Sequence, residues 1–205
     1  MKQIIFTKND HSVIEEAFAS GIPVVMPTDT IYGVTVPALE KKSVMKLYRL
    51  RKRNPNKPFI ILISSLKDLA LFDIFLDEEK KEYLKGFWPG EVTAILDCPQ
   101  KEFYYLHRGT KALAFRVPKD KELIRLLKKT GPLVAPSANI EGMPEAKNIA
   151  DAHGYFKEKA VYIDKGVIKG LPSTIISLAN NKFEIIRKGS YKMNKNEYFR
   201  SSINN

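Results

Sequence analysis

Short apolar runs alternate with amphipathic segments along most of this sequence. Residues 59–63 form an uninterrupted apolar run, which is typical of a central strand covered on both faces. Residues 22–26 form a second such run, and apolar side chains recur at helical spacing in segments 40–51 and 120–130. Strands that alternate with amphipathic helices indicate an α/β fold, in which helices cover a sheet core.

Further elements extend this pattern to both ends of the chain. We predict strands over residues 3–6, 92–96, 113–117, 161–163, 174–178 and 183–186, and helices after Asp10 and Asp77. At 205 residues the chain is long enough to bury one core. Because no repeat or linker divides it, we expect a single domain over residues 1–190. Residues 191–205 are polar and rich in asparagine, and we expect this C-terminal tail to be frayed.

Hydropathy and cysteine content predict the cellular compartment of the protein. No apolar run approaches the roughly 20 residues that cross a bilayer, and Lys8 and Asp10 interrupt the N-terminus too early for a signal peptide. The single cysteine, Cys98, cannot form an internal disulfide and fits a reducing compartment. We therefore expect a cytoplasmic protein with no membrane partner.

The formal net charge is +11, from 34 Lys and Arg residues against 23 Asp and Glu residues. Such an excess is open to three interpretations: lysines spread over a solvated surface, a footprint for nucleic acid, or a pocket for a polyphosphate. Composition alone does not separate them.

Two apolar runs stop at a proline and are followed at once by polar side chains. One continues into Pro27-Thr28-Asp29-Thr30-Ile31-Tyr32-Gly33, and the other, residues 133–135, continues into Pro136-Ser137-Ala138-Asn139. A turn or a helix cap would account for Ser137 and Asn139. Short hydroxyl and amide side chains at strand ends are equally suited to hydrogen-bonding a polar ligand.

A basic segment precedes the apolar run 59–63: Arg51-Lys52-Arg53-Asn54-Pro55-Asn56-Lys57-Pro58. The guanidinium groups of Arg51 and Arg53 can contact phosphates in a bidentate manner, and Lys57 adds a point charge. Such a cluster is most often a solvated face, but its place directly before a buried strand favours a pocket for an anion. The three histidines are isolated in sequence, so we expect no metal site made by the protein.

In this order, the segments resemble the YrdC-like family of threonylcarbamoyl-adenylate synthases from about residue 5 to 189. The matching motifs are Pro27-Thr28-Asp29-Thr30-Ile31-Tyr32-Gly33, Arg51-Lys52-Arg53 with Lys57-Pro58, Trp88-Pro89-Gly90 before Thr93, Phe115-Arg116-Val117-Pro118, Ala135-Pro136-Ser137-Ala138-Asn139, Ser173-Thr174-Ile175 and Arg187-Lys188-Gly189. Each motif is weak alone, but seven in one order are specific.

The resemblance implies a YrdC-like fold, a twisted mixed β-sheet covered by helices with a basic concave cavity, in the short form that lacks an additional C-terminal domain. It also implies an activity: condensation of L-threonine, bicarbonate or CO2, and ATP to threonylcarbamoyl-AMP and pyrophosphate. A downstream threonylcarbamoyl transferase would then use this adenylate to modify an adenosine next to the anticodon of some tRNAs.

The resemblance also implies a map of the site. The ATP-binding residues would be Arg51, Arg53, Lys57, Ser137, Asn139 and Arg187. The L-threonine-binding residues would be Thr30, Tyr32, Arg116, Ala135 and Ser173. Adenylate formation depends mostly on positioning and charge neutralisation, so we expect no protein nucleophile, and we expect Mg2+ to enter with ATP. Arg116 stands in an otherwise apolar run, and a pair with an exposed carboxylate would be the alternative to a ligand contact, although the apolar neighbours argue against it.

Four positions depart from the family pattern. Arg51 stands where many relatives have Lys, and Glu145 stands where a nucleotide-contacting Ser is frequent. Leu62 and Ala112 occupy positions at which the longer-chain relatives have polar contacts. A carboxylate beside phosphates would be repulsive unless it faces away.

Two other functions are compatible with the sequence. The same basic cavity could bind RNA without making an adenylate, with Tyr and Phe side chains as stacking platforms and an affinity that falls steeply with salt. Weak binding of tRNA beside an enzymatic activity also stays open. The second possibility is a relative that kept the fold but lost the activity. The presence of Ser137-Ala138-Asn139 argues against it.

Overall fold

The computed structural model describes residues 5–7 and 11–198, which form one mixed sheet with helices packed on it. The strands are β1 (Ile5–Thr7), β2 (Val24–Pro27), β3 (Tyr32–Pro37), β4 (Ile60–Leu62), β5 (Val92–Asp97), β6 (Ala112–Arg116), β7 (Leu133–Val134), β8 (Val161–Asp164), β9 (Thr174–Ser177) and β10 (Glu184–Arg187). The helices are α1 (His11–Ala19), α2 (Lys41–Leu50), α3 (Glu78–Lys85), α4 (Tyr104–His107), α5 (Lys121–Thr130) and α6 (Ile149–Phe156).

The sheet has the order β1-β8-β2-β3-β7-β4-β6-β5-β9-β10. The sheet contains both parallel and antiparallel pairs: β4 pairs parallel with β6 and antiparallel with β7, and β5 pairs antiparallel with β6 and parallel with β9. The predicted α/β fold with a twisted mixed sheet is therefore confirmed.

Strand β2 shows why the central runs are apolar throughout. Val24 and Met26 pack into a cluster with α1 and α5, whereas Val25 packs into the larger cluster on the opposite face, which includes side chains of α2. Successive side chains of a strand point to opposite faces. Because helices cover both faces here, the strand has no solvent-facing position that would call for a polar residue.

Helix α5 begins and ends where its sequence predicts. The Asp120 carboxylate accepts hydrogen bonds from the backbone N–H groups of Glu122 at 2.8 Å and Leu123 at 3.0 Å, which caps the first turn. Gly131 follows the last turn with φ of 77°, a conformation that favours glycine. The predicted boundaries at 120–130 are confirmed within one residue.

Three of the helices and strands were not predicted from the sequence, namely β3, α4 and α6. Residues 28–33 looked like a polar loop, but the loop closes at once into an antiparallel hairpin in which Met26 pairs with Gly33 and Pro27 with Tyr32. Of the predicted strand 3–6, residues 3 and 4 lie outside the described part of the chain, as does the predicted cap Asp10.

The C-terminal segment is better ordered than we expected. The ring of Tyr198 stacks on Phe183 at 4.8 Å between centroids, and Tyr191 packs edge-on against Phe87 at 5.5 Å. The Tyr191 hydroxyl donates to the Glu197 carboxylate at 2.5 Å. Residues 191–198 therefore make specific contacts with the rest of the fold, which the expectation of a frayed tail did not include, and residues 199–205 lie outside the described part.

Among residues 5–7 and 11–198, no helix is long and apolar enough to cross a membrane.

Candidate functional site

Two adjoining cavities lie where the predicted site residues converge. The larger has a volume of about 300 Å³ and the smaller about 50 Å³. They share four lining residues: Ile60, Pro136, Ser137 and Arg187. A wider concavity of about 650 Å³ lies between α3 and residues 195–198, but no predicted site residue lines it.

The turn between β2 and β3 forms one wall of the smaller cavity. The Thr28 hydroxyl organises this turn, because it accepts from the backbone N–H of Ile31 at 3.2 Å and donates to the Ile31 carbonyl at 2.7 Å. The hydroxyls of Thr28 and Thr30 lie 3.1 Å apart. The loop 165–173 covers the turn so closely that a Cβ atom at Gly170 would lie 1.8 Å from the Thr30 carbonyl oxygen. The position of Thr30 is thus set by backbone packing on two sides.

Arg51 links the end of α2 to the segment after β7. Its side chain is buried, and its Nε donates to the Asn139 carbonyl at 2.8 Å while its NH2 group donates to Asn139 Oδ1 at 2.6 Å and to Ser137 Oγ at 3.3 Å. Burial and the nearby Arg53 lower the pKa of Arg51 to about 10, so the guanidinium stays charged at neutral pH. Arg51 therefore orients Ser137 and Asn139 from behind.

Arg53 lies at the wall of the larger cavity and is held by an acid outside it. Its NH1 group lies 3.2 Å from Glu141 Oε1, and the same oxygen lies 3.4 Å from Lys57 Nζ. Within the described residues, the buried Nε of Arg53 has no hydrogen-bond partner. Glu141 thus sets the position of Arg53 and leaves one of its donors unused.

Arg116 forms a buried ion pair with Asp29. The NH1 group lies 2.5 Å from Asp29 Oδ1, and the two side chains are 4% and 8% exposed. The backbone N–H of Lys119 donates to the second Asp29 oxygen at 2.7 Å. The Arg116 Nε is buried without a hydrogen-bond partner among the described residues. The predicted alternative was a pair with an exposed carboxylate, whereas the observed partner, Asp29, is buried, and Arg116 also lines the smaller cavity.

Arg187 and Ser173 close the smaller cavity from the side of β9 and β10. The guanidinium of Arg187 donates to the Ser173 carbonyl at 2.8 and 3.2 Å. The Ser173 hydroxyl lies 2.8 Å from Thr93 Oγ1 on the neighbouring strand. Burial lowers the pKa of Arg187, and Glu145 opposes that effect.

Glu145 is the carboxylate that lines the smaller cavity, and it does not line the larger one. Burial raises its pKa, and the charges of Arg187 and Arg51 partly offset the increase. The predicted conflict between this carboxylate and phosphates is eased, because Glu145 faces the cavity lined by Thr30 and Ser173.

The structure brings most predicted site residues together. The larger cavity is lined by Arg51, Arg53, Ser137, Arg187 and Ala112, and the smaller by Thr30, Arg116, Ala135, Ser173, Ser137 and Arg187. Four other residues of the prediction line neither cavity: Lys57, which is exposed, and Asn139, Tyr32 and Leu62, which are buried. The Tyr32 hydroxyl donates to the Gly166 carbonyl at 2.8 Å and accepts from the Lys165 N–H at 2.9 Å, so this side chain holds the loop after β8 instead.

Three supporting residues were not identified from the sequence. Asp29 and Thr93 stood inside recognised motifs but received no role, and Glu141 lies two residues beyond Asn139. An acid placed close in sequence to a predicted phosphate site is a weak signal. Their function is visible only once the fold brings each one to its partner.

Comparison with known proteins agrees with the fold. The family model Sua5_yciO_yrdC, described as "Telomere recombination", matches residues 16–189. The threonylcarbamoyl-AMP synthase of Bacillus subtilis is 31% identical over 172 residues, 81% of this chain and 49% of that protein. The threonylcarbamoyl-AMP synthase of Klebsiella pneumoniae is 29% identical over 141 residues, 67% of this chain and 74% of that protein.

A solved structure, P. abyssi Sua5 in complex with L-threonine, superposes with a TM-score of 0.77 at 28% identity, covering 87% of this chain and 54% of that one. The chain therefore spans about half the length of the Bacillus and Pyrococcus proteins and about three quarters of the Klebsiella protein.

Proposed function

The chain belongs to the Sua5/YciO/YrdC family, and we propose that it condenses L-threonine, bicarbonate or CO2, and ATP to threonylcarbamoyl-AMP and pyrophosphate. The observation that carries this proposal is the junction of two cavities of different chemistry, one apolar with arginines at one end, the other small and lined with hydroxyls.

The larger cavity is suited to ATP. Phe59, Ile95 and Ile175 give it apolar walls that fit a planar base, and Arg53 and Arg187 supply charge for phosphates. The Ser137 hydroxyl accepts from Arg51 and donates to Asn139 Oδ1 at 2.8 Å, so it would exchange the bond to Asn139 for one to a phosphate oxygen when ATP binds. Lys57 stands outside the cavity wall, where it can approach only the outer end of a triphosphate.

The smaller cavity is suited to L-threonine. Its hydroxyl groups, Thr30 and Ser173, can hydrogen-bond the substrate side chain, and Arg116 can bind the carboxylate through the donors that Asp29 leaves free. The cavity is small and its backbone is closely packed, which favours a short amino acid.

The reaction can take place where the cavities meet. A carbamate oxygen of threonylcarbamate forms a bond to the α-phosphorus of ATP, and the bond from that phosphorus to the pyrophosphate oxygen breaks. Arg187 lines both cavities, so its charge is available to the attacking carbamate and to the phosphate during transfer. We assign catalysis to this positioning and neutralisation of charge rather than to a covalent intermediate.

Mg2+ fits this site as a companion of ATP. The residues that line the larger cavity supply guanidinium, hydroxyl and apolar groups rather than carboxylates. This donor set suits phosphates, which can themselves hold a cation that retains much of its water. When bound, the cation would neutralise charge on the phosphates.

We further propose that the product passes to a threonylcarbamoyl transferase that modifies tRNA, and that this takes place in the cytoplasm. An adenylate is a reactive mixed anhydride, so prompt use by a partner enzyme is chemically favourable.

The proposal is tested by pyrophosphate release from ATP in the presence of Mg2+ and bicarbonate. L-threonine is compared with L-serine, L-valine and no amino acid. We expect release that requires both L-threonine and bicarbonate. Absence of turnover together with tight, salt-sensitive RNA binding would contradict the proposal and favour an RNA-binding module on the same fold.

A further inference from the structure

We propose that Glu145 binds the ammonium group of the substrate L-threonine and accepts a proton from it, so that the amine can attack CO2. This inference rests on the proposed function. It assigns a catalytic residue to the step that precedes adenylate formation, in which threonine becomes threonylcarbamate.

The first observation is the position of the carboxylate. Glu145 lines the smaller cavity together with Thr30, Arg116 and Ser173, and it is absent from the wall of the larger cavity. It therefore stands on the side that we assign to the amino acid rather than to the base of ATP.

The second observation is that this carboxylate has no committed partner. Within residues 5–7 and 11–198, no side chain forms an ion pair with Glu145 within 4.0 Å, and no group donates a hydrogen bond to it. Asp29 and Glu141 differ in this respect, because each is paired with an arginine. A half-buried carboxylate that faces a cavity without a partner is available for a ligand.

The charges around the cavity match a zwitterion. Arg116 and Arg187 line it from β6 and β10, and Arg51 acts on Glu145 from the end of α2. Cationic groups alone would suit the carboxylate of threonine but would repel its ammonium group. Glu145 supplies the missing opposite charge; among the described residues, Arg187 and Arg51 are the charged groups that act on it, and Arg116 lines the same cavity.

The electrostatics of the carboxylate also fit a proton acceptor. Burial raises the pKa of Glu145 above its ordinary value, while Arg187 and Arg51 keep it from rising further. A raised pKa makes a carboxylate a stronger base at neutral pH. An α-amino group is mostly protonated at that pH and cannot act as a nucleophile until it loses a proton.

The amine nitrogen loses one proton before it attacks CO2 and a second one afterwards. One N–H bond of the ammonium group breaks, its electron pair stays on nitrogen, and the proton moves to a carboxylate oxygen of Glu145. The nitrogen pair forms a bond to the carbon of CO2, and one C=O electron pair moves onto oxygen. A second proton then leaves the nitrogen to solvent, which yields the carbamate.

A binding experiment tests the ammonium contact without turnover. Calorimetry compares L-threonine with 2,3-dihydroxybutyrate, in which a hydroxyl replaces the ammonium group, on the full chain and on Glu145→Gln. We expect the full chain to prefer threonine by at least about tenfold, and we expect this preference to be largely lost in Glu145→Gln. Glu82→Gln, on the exposed side of α3, is the matched control and should keep the preference.

A pH profile tests the proton transfer. At neutral pH we expect Glu145→Gln to release pyrophosphate roughly 100-fold more slowly than the full chain. The difference in rate between Glu145→Gln and the full chain should become smaller as pH rises, because a larger fraction of L-threonine in solution then carries a deprotonated amine. The ratio of the two rates at each pH cancels the effects of pH on CO2 and bicarbonate. Glu145→Asp should recover part of the rate.

Other outcomes overturn the proposal. A constant ratio across pH would indicate a structural role for Glu145, and a raised requirement for Mg2+ with an unchanged pH profile would place its action on the phosphates. If the full chain binds threonine with the Glu145-dependent preference but releases no pyrophosphate, the proposed function fails while the ammonium contact stands. If it turns over but Glu145→Gln keeps the preference, only the role of Glu145 fails.

Discussion

The arginines of the site differ in what they do, although they are the same residue type. Arg51 holds Asn139 and Ser137 through its Nε and NH2 groups, so it supports the site while also lining the larger cavity. Arg53 is held by Glu141 at one end but keeps a buried donor unused. A buried guanidinium must be paired, and a donor left unpaired at a cavity wall is where a ligand can compensate. The hydrogen-bond partners of each arginine, rather than the residue type, therefore distinguish an arginine that supports the site from one that is available to bind a ligand.

The first prediction concerns the support provided by Asn139. Asn139→Ala removes the acceptor at 2.6 Å from Arg51 NH2 and leaves a buried charge poorly paired. We expect the free energy of unfolding to fall by about 2–3 kcal/mol, measured by urea denaturation. Asn56→Ala, at an exposed position, is the control and should change stability by less than about 0.5 kcal/mol. A loss below about 1 kcal/mol in Asn139→Ala would show that Arg51 does not depend on this contact.

The second prediction concerns ATP binding by Arg53. Arg53→Ala should weaken ATP binding at least about tenfold, because one charge-assisted contact contributes roughly 1.5–3 kcal/mol. Calorimetry with Mg-ATP measures the change, and Arg125→Ala, an exposed arginine of α5, should leave the affinity unchanged. Unchanged affinity in Arg53→Ala would remove this residue from the nucleotide site.

The sequence predicted residue types at the site more reliably than their contacts. Arg116 illustrates the difference: its apolar neighbours predicted burial, which is confirmed, but not its pairing with Asp29. The pair joins positions 87 residues apart, so it depends on the fold. For Tyr32, the position in a polar motif predicts a ligand contact. In the structure its hydroxyl instead forms hydrogen bonds with the backbone of the loop after β8.

At the scale of elements, the site is assembled from strand and helix ends. The β2–β3 turn carries Thr30, β6 ends with Arg116, β9 begins after Ser173 and β10 ends with Arg187. The strands with continuous apolar runs were predicted because burial on both faces gives them a strong signal. β3 was missed because Gly33 and Thr35 interrupt its apolar pattern, and its pairing with β2 and β7 compensates for them.

The third prediction concerns the cap of α5. Asp120→Ala removes the acceptor for two backbone N–H groups and should lower the free energy of unfolding by about 1 kcal/mol, whereas Asp120→Asn should retain most of the cap. Urea denaturation at neutral pH measures both variants. Equal losses for Ala and Asn would indicate that the charge, not the cap, is what matters.

The pH dependence of that loss follows from the carboxylate. Burial alone would raise the pKa of Asp120, but hydrogen bonds from the Leu123 backbone and from Lys165 outweigh it and lower the pKa. With a lowered pKa, the contribution is present above the ordinary value and is lost as pH falls through the folded-state value. The gap between the full chain and Asp120→Ala should therefore stay constant from neutral pH to about pH 4 and narrow below that.

At the scale of the whole molecule, the charge excess has two explanations that hold together. Arg51, Arg53, Arg116 and Arg187 gather at the two cavities, which supports the polyphosphate interpretation of the net charge of +11. Other cations, such as Lys41 and Lys42 on α2, are exposed. Composition alone does not show how many of the cations lie at the cavities and how many on the exposed surface, because that depends on which side chains the fold turns inward.

The contacts of the C-terminal segment are not indicated by the sequence patterns, because they depend on single aromatic residues. Residues 191–198 have no apolar period of their own, so sequence patterns indicate a tail. Their aromatic rings instead contact residues next to α3 and β10: Tyr191 packs against Phe87, two residues after α3, and Tyr198 packs against Phe183, directly before β10. The Thr174 hydroxyl also donates to the Tyr191 carbonyl at 2.6 Å, which ties the segment to β9.

The fourth prediction is that this segment contributes to the stability of the whole domain. Ending the chain after Ser190 removes two aromatic contacts and the bond from Thr174, and should lower the free energy of unfolding by about 2–4 kcal/mol. Tyr198→Ala isolates one contact and should cost about 1 kcal/mol, while Lys192→Ala, at an exposed position, should cost almost nothing. Urea denaturation compares all three with the full chain. If the shortened chain is as stable as the full one, the packing of residues 191–198 adds nothing to the fold, and the segment behaves as the polar tail that its sequence indicates.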